Sequence, residues 1–502
     1  MTTTPASHKL SLSFIFILLS YFTLQIVLRV FISDSLDYDE AEQALLGQWL
    51  LAGYTEQPPL YTWVQYFLFK IFGQGVFAIS LLKNTLLFLT YLFVYLSATQ
   101  LFKNTRAAIL SASSLLLIPQ IAWESQRDMT HTTLVVCAAA ALFWIVLKLI
   151  ENRSAFNYCL LGLFFGIGVL AKANFALFIV VLTLTLLTFP EGRRIICSRK
   201  ILFSLLISVA ITASYFLWMF NNQEIVFSAT HKLKRAAELY YISGITSFIK
   251  NGFLFLTPLW LVYLIIFPAG FLKNQNKQPS IYNRFLGRYG LFFLLTLLII
   301  ILAFKVSYVK DRWLQPLLFL APLIFFSRIE LKNITEKKYK LFLKITATAA
   351  ISVYIAFTVR AIDPPFSDHY SRLSYPISSF AEDMRESGFN GGLIVSNNRF
   401  LAGNMRIKFP DSTALIPDFN FENLLYSSSH SQAAVIWKAD STPQIPVKLH
   451  TFLQETYDIN PNDYPITYHE EFYKHSKEFK VKLALLIFPL GGASQQPSTP
   501  QP

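Results

Sequence analysis

The feature that most limits the fold is a series of long apolar stretches. The first runs from about Leu10 to Phe31, and others lie near residues 76–101, 107–124, 129–150, 156–171, 174–189, 201–220, 247–272, 289–304, 314–327 and 341–361. Each is long enough, or nearly so, to cross about 30 Å of hydrocarbon. In lipid the backbone must satisfy its own hydrogen bonds, so such a series folds as helices. The sequence therefore predicts an α-helical polytopic membrane protein with about eleven transmembrane helices. The first stretch is too long for a signal-peptide core and lacks a small-residue cleavage site, so it is read as a membrane helix.

Charge supports this class. Only 15% of the 502 residues are charged and 54% are hydrophobic, with a net charge of +13. In a soluble protein that excess would suggest nucleic acid as a partner. Here it is explained by loops. With the N-terminus inside, Lys103, Arg106, Arg153, Arg193, Arg194, Arg199, Lys200, Lys273, Lys277, Arg284, Arg288 and the basic run at 328–340 fall on inside loops, with Lys232, Lys234 and Arg235 an exception outside, as the positive-inside rule favours. Membrane lipids supply the counter-charge, and no nucleic-acid partner is expected. An odd number of spans leaves the C-terminal region outside. Cys137, Cys159 and Cys197 form no disulfide or metal pattern.

The last span ends near Arg360-Ala361, and Asp363-Pro364-Pro365 stops the helix. Residues 1–362 are thus read as the membrane domain with its loops. Residues 363–490 are polar with short apolar runs at 392–396, 433–437 and 483–488 that read as buried strands, and Ser378–Ser387 reads as a helix. A small α/β domain is expected there. Residues 491–502, rich in Gly, Ser, Gln and Pro, are expected to be disordered.

The outside loops carry the candidate chemistry. Asp37-Tyr38-Asp39-Glu40-Ala41-Glu42 places four carboxylates directly after the first span. Asp37 and Glu40 have capping-box spacing, which leaves Asp39 and Glu42 unexplained. Asp39 is either solvated or a general base that takes a proton from an attacking hydroxyl. Glu56-Gln57-Pro58-Pro59-Leu60-Tyr61-Thr62-Trp63 follows, with aromatic residues of the type that settle at a head-group interface. One or two short surface helices, broken at Pro58-Pro59, are expected here. Three further outside loops hold Arg127-Asp128, Lys172 and the run Lys305 to Arg312. Asp128 either pairs with Arg127 or joins Asp39. Lys172 either snorkels at a bend or binds a lipid phosphate. Lys305, Lys310 and Arg312 oppose the positive-inside trend, and an anionic phosphate is a cause for that exception. Pairing of Arg312 with Asp311 or the acidic loop is the other. A base together with cations on one side of a membrane is the set that glycosyl transfer from a lipid phosphate needs.

These residues resemble a known family. Asp39-Glu40-Ala41, Gln57-Pro58-Pro59-Leu60 with Trp63, and Leu170-Ala171-Lys172 are similar to bacterial GT-C glycosyltransferases of the family 39 type. That group includes the lipid A aminoarabinose transferase and protein O-mannosyltransferase-like enzymes. Arg127–Thr133 and Lys310–Pro316 look closer to its galacturonosyltransferase-like subgroup. The resemblance covers about residues 10–330. It implies a GT-C helical bundle in the bacterial inner membrane, with the active site and C-terminal domain periplasmic. It also implies a polyprenyl-phosphate sugar donor and a lipid A, glycan or protein acceptor. The candidate catalytic residues are then Asp39, Asp128 and Glu40. Lys172, Lys305, Lys310, Arg312 and Arg127 are candidates for the donor phosphate, and Asp37, Glu56 and Tyr61 for the acceptor side or the loop. Some relatives bind a divalent metal near the acid at Glu56 with a later histidine, for which His231 is the candidate; metal is left open. The alternatives are a lipid or glycan transporter, for which the sequence offers Lys83 and Asn84 within a span, and a membrane-anchored binding protein that works through its C-terminal domain.

Overall fold

The structure is a computed structural model and describes residues 5–227, 239–272, 280–362, 372–419, 430–439 and 444–490. Eight helices position the chemistry: α1 (Pro5–Ile32), α2 (Tyr38–Leu46), α3 (Leu60–Phe72), α4 (Val76–Phe102), α5 (Thr130–Glu151), α6 (Asp311–Leu318), α7 (Glu336–Ile362) and α8 (Arg399–Lys408). The chain divides into two compact units. One holds residues 1–26, 51–61 and 81–356, the other residues 27–50, 62–80 and 357–502.

The first unit is helical. Among the described residues six helices are long and apolar enough to cross a membrane, or up to eight if each of two bent pairs forms one span. The other expected stretches bend or form shorter helices. The stretch 107–124 bends by 72° around Ile118-Pro119, and the stretch 247–272 bends by 61° around Pro258, where a proline removes a helix donor. The stretches at 156–171 and 174–189 form shorter apolar helices, Ala155–Val169 and Phe175–Leu187. The stretch 314–327 is divided between α6 and Ala321–Phe326. Helix α5 forms the centre: 83% of its most apolar window is buried. Its run Cys137-Ala138-Ala139-Ala140-Ala141 lets neighbours approach closely, the usual basis of helix packing in lipid. Helices 155–169 and 201–221 are joined by small polar residues: Ser204 donates to the Tyr158 carbonyl at 2.7 Å and Ser208 to the Gly162 carbonyl at 2.9 Å. The other side of helix 201–221 exposes Leu202, Leu206, Val209, Leu217 and Phe220, a face suited to hydrocarbon.

The second unit combines α2, α3 and the ends of α1 and α7 with a five-stranded sheet. Its strands are β1 (Leu393–Ser396), β2 (Thr413–Leu415), β3 (Gln432–Lys438), β4 (Ile466–Phe472) and β5 (Lys480–Pro489), in the order β2-β1-β3-β5-β4. Strand β1 is parallel to β2 and β3, with Leu393 opposite Thr413 and Ala433; β5 is antiparallel to β3 and β4. The three apolar runs read as strands are β1, β3 and β5, and the expected helix is Ile377–Glu386. The tail from 491 lies outside the described residues.

Candidate active site

The acidic loop lies in the second unit. Asp37 caps α2, and the capping box is complete: Glu40 accepts the Asp37 backbone N–H at 3.0 Å. Burial alone would raise the Asp37 carboxyl, but the Arg360 guanidinium at 2.5 Å and the hydrogen bond from Arg372 at 3.0 Å outweigh it. They hold the group below the usual carboxylate range. Glu40 is equally enclosed. It is 2% exposed and forms a buried ion pair with Arg29 at 2.6 Å. Arg29 also donates to the carbonyls of Ser33 and Ser35, each at 2.8 Å, and so fastens the end of α1 to the start of α2. This geometry assigns Glu40, expected among the catalytic carboxylates, to holding the helix start. Asp37 has the same kind of duty. Asp39 follows in the first turn, half-buried, where the helix dipole favours a carboxylate.

Asp39, Glu42 and Gln43 share a face of α2, being three and four residues apart. Glu42 forms a close ion pair with Arg399, and Gln43 accepts from the Thr62 hydroxyl of α3 at 2.9 Å. Arg29, Arg360, Arg372 and Arg399 were not found by sequence reasoning. A lone arginine at the end of each apolar span, Arg29 in α1 and Arg360 in α7, was the available signal.

In the first unit, two of the expected loops are brought together. Pro316 in α6 has no N–H, so the Arg312 carbonyl four residues earlier lacks its helical donor. The Asn174 side chain donates to it at 3.4 Å, tying the Lys172 loop to the start of α6. Lys172 donates to the Thr132 hydroxyl of α5 at 2.6 Å. His131 stands beside it, within electrostatic reach of Lys172 and Glu56, hydrogen-bonded to the Ala171 backbone, with its ring 5.6 Å from that of the fully buried Tyr61. Glu56, Tyr61, His131, Thr132 and Lys172 thus form one cluster.

The loop before α6 is shaped by backbone contacts. Its Val309 is clamped by Ser247 and Asn251, at 3.0 and 2.6 Å. A side chain on Gly244 would lie 2.2 Å from the Val306 carbonyl oxygen, so that close approach requires glycine. Lys305 and Arg312 are exposed and Lys310 is half-buried. Asp311 accepts the Arg312 backbone N–H at 2.8 Å.

Asp128 sits on an unusual turn. A π-helical turn at Gln120–Glu124 leads to a short helix, Ser125–Arg127, and Met129 has φ 70°. Such features are frequent at functional sites. Arg127 pairs with Glu124 at 2.5 Å. Asn84 accepts from Gln126 at 2.7 Å and Lys83 donates to the Gln126 carbonyl at 3.4 Å. The polar residues within α4 therefore brace this turn. Among the described residues no group of three His, Cys, Asp or Glu side chains is placed to hold a metal ion, and His231 lies outside them.

The two-part architecture and these loops define a membrane glycosyltransferase of the GT-C class. Two solved structures of ArnT from Cupriavidus metallidurans share its fold. The one bound to undecaprenyl phosphate superposes with a TM-score of 0.58 at 13% identity, covering 94% of this chain and 97% of that one. The apo form gives 0.59 at 14% identity, covering 95% and 98%. Residues 56–218 match the dolichyl-phosphate-mannose-protein mannosyltransferase family. The lipopolysaccharide core galacturonosyltransferases RgtA and RgtB of Rhizobium johnstonii are 30% and 33% identical to this chain. The alignments cover 85% and 82% of it, and 86% and 85% of those enzymes. The chain belongs to the GT-C glycosyltransferases of the family 39 type, alongside these galacturonosyltransferases.

Proposed function

We propose that the protein transfers a uronic acid, galacturonic acid, from a polyprenyl-phosphate donor to a lipopolysaccharide core acceptor on the periplasmic face of a bacterial inner membrane. The observation that carries this reading is the 30–33% identity to two lipopolysaccharide core galacturonosyltransferases over more than four-fifths of each chain. The orientation rests on the excess of Lys and Arg on the loops that read as inside when the eleven apolar stretches alternate across the membrane.

In the reaction an acceptor hydroxyl attacks the sugar's anomeric carbon as the bond from that carbon to the phosphate oxygen breaks. Asp39 takes the hydroxyl proton, and the polyprenyl phosphate leaves as an anion. Lys172, with Lys310 and Arg312, stabilises the charge that grows on it. A general base contributes about 10²–10⁴-fold and a cation at the leaving group about 10²–10³-fold. Of the first-loop carboxylates, Asp39 is chosen because the family's first-loop aspartate falls on it by resemblance; Asp37 and Glu40 hold the helix start through arginines.

Purified full-length protein is given undecaprenyl-phosphate-linked galacturonic acid and lipopolysaccharide core, without an ion gradient. Transfer of the uronic acid is the expected result. Transfer from an aminoarabinose donor and none from the uronate would overturn the sugar assignment. Asp39→Asn is expected to abolish transfer, and Lys172→Met to lower turnover about 10²–10³-fold.

A further inference from the structure

The C-terminal α/β domain carries none of the candidate reacting residues. Its helix α8 packs on the helix that carries Asp39, and the contact is unusually close. A Cβ built on Gly403 would lie 1.9 Å from the Ala41 carbonyl oxygen, against an ordinary contact distance of about 3.5 Å. Any side chain there must force α2 and α8 apart. The contact is specified by polar groups along its length. The Asn404 amide oxygen accepts the Leu36 N–H at 2.8 Å, just before α2 begins. Arg399 pairs with Glu42, which shares a face with Asp39. After α2, Gln48 accepts from Arg406 at 3.0 Å. It also pairs with both backbone groups of Ala414 in β2, at 2.8 and 2.9 Å. Before, within and after α2, the chain is thus held by the same domain.

We propose that this domain is a positioning element for catalysis: α8, through Gly403 and Arg399, sets the placement of α2 and hence of the Asp39 carboxylate. The inference rests on the reading of Asp39 as the base. A misplacement of about 1 Å at a reacting group can cost about 10²-fold in rate, so the interface acts on turnover and leaves donor binding alone.

The test uses full-length protein in lipid nanodiscs with undecaprenyl-phosphate-linked galacturonic acid as donor. Gly403→Ala and Arg399→Glu are expected to lower kcat by at least tenfold with the donor KM within about twofold of wild type. The charge reversal Glu42→Arg combined with Arg399→Glu restores turnover to within a few-fold, which a merely destabilised domain would not do. Unchanged kcat in both single variants overturns the positioning role. So does a loss that follows thermal stability and is not rescued by the double reversal. Full transfer by Asp39→Asn, measured alongside, would instead remove the base assignment.

Discussion

The two units hold their loops by different means. In the second unit the first-loop helix is fixed by charge: Arg29 on Glu40, Arg360 and Arg372 on Asp37, and Arg399 on Glu42. In the first unit the Lys172 loop and the loop before α6 are tied by neutral groups, Asn174 on the Arg312 carbonyl, Gln315 on the Gln120 carbonyl, and Ser247 and Asn251 on Val309, while the Arg127 turn adds one ion pair with Glu124. The difference follows from what each loop carries. A cluster of carboxylates repels itself, so it folds only if cations are built in. A loop that carries cations has no such need, and amides and hydroxyls serve as its anchors. The acidic loop is therefore the more sensitive to protons and to loss of one partner.

Three measurements break or sharpen this contrast. Arg29→Met leaves the Glu40 carboxylate buried without its cation, and breaking such a pair costs about 3–5 kcal/mol. Chemical or thermal unfolding of the purified protein should show that loss, with the first unit's helices still folded. The second measurement is in acid. Asp37 is held below the usual carboxylate range in the folded protein, so the unfolded chain takes up its proton first. The stabilisation is complete above the ordinary aspartate pKa of about 3.9, and it is lost as pH falls through the lower folded value. A thermal-midpoint series should show this acid step in wild type, and Asp37→Asn should lack it. The smallest effect is expected for Asn174→Ala, which removes one neutral hydrogen bond worth about 0.5–1.5 kcal/mol. Its stability loss should be insensitive to salt and pH. A salt-dependent loss at Asn174 would show that charge holds both regions.

Much of the architecture was legible because it rests on local patterns. A capping box needs only residues 37 and 40, and a buried strand needs only a short apolar run. The bends were less legible. Pro119 and Pro258 stand at the two breaks, and a continuous apolar run does not say whether the chain crosses straight or turns there. Strands β2 and β4 were missed, the one three residues long and the other partly exposed along its whole length. Helix α8 was missed because it is polar on average and buries Asn404 and Arg406 alongside Leu401. Within the candidate site, position after apolar spans singled out the carboxylates and cations, but not the ion pairs they make. The partners of Asp37 are Arg360 and Arg372, more than 300 residues away.

Arg399 lies 357 positions after Glu42. At a synthesis rate of about 5–20 residues per second, the helix bearing Asp39 waits on the order of tens of seconds for its clamp to emerge. A chain that stops before Arg399 would carry its first-loop helix without that clamp.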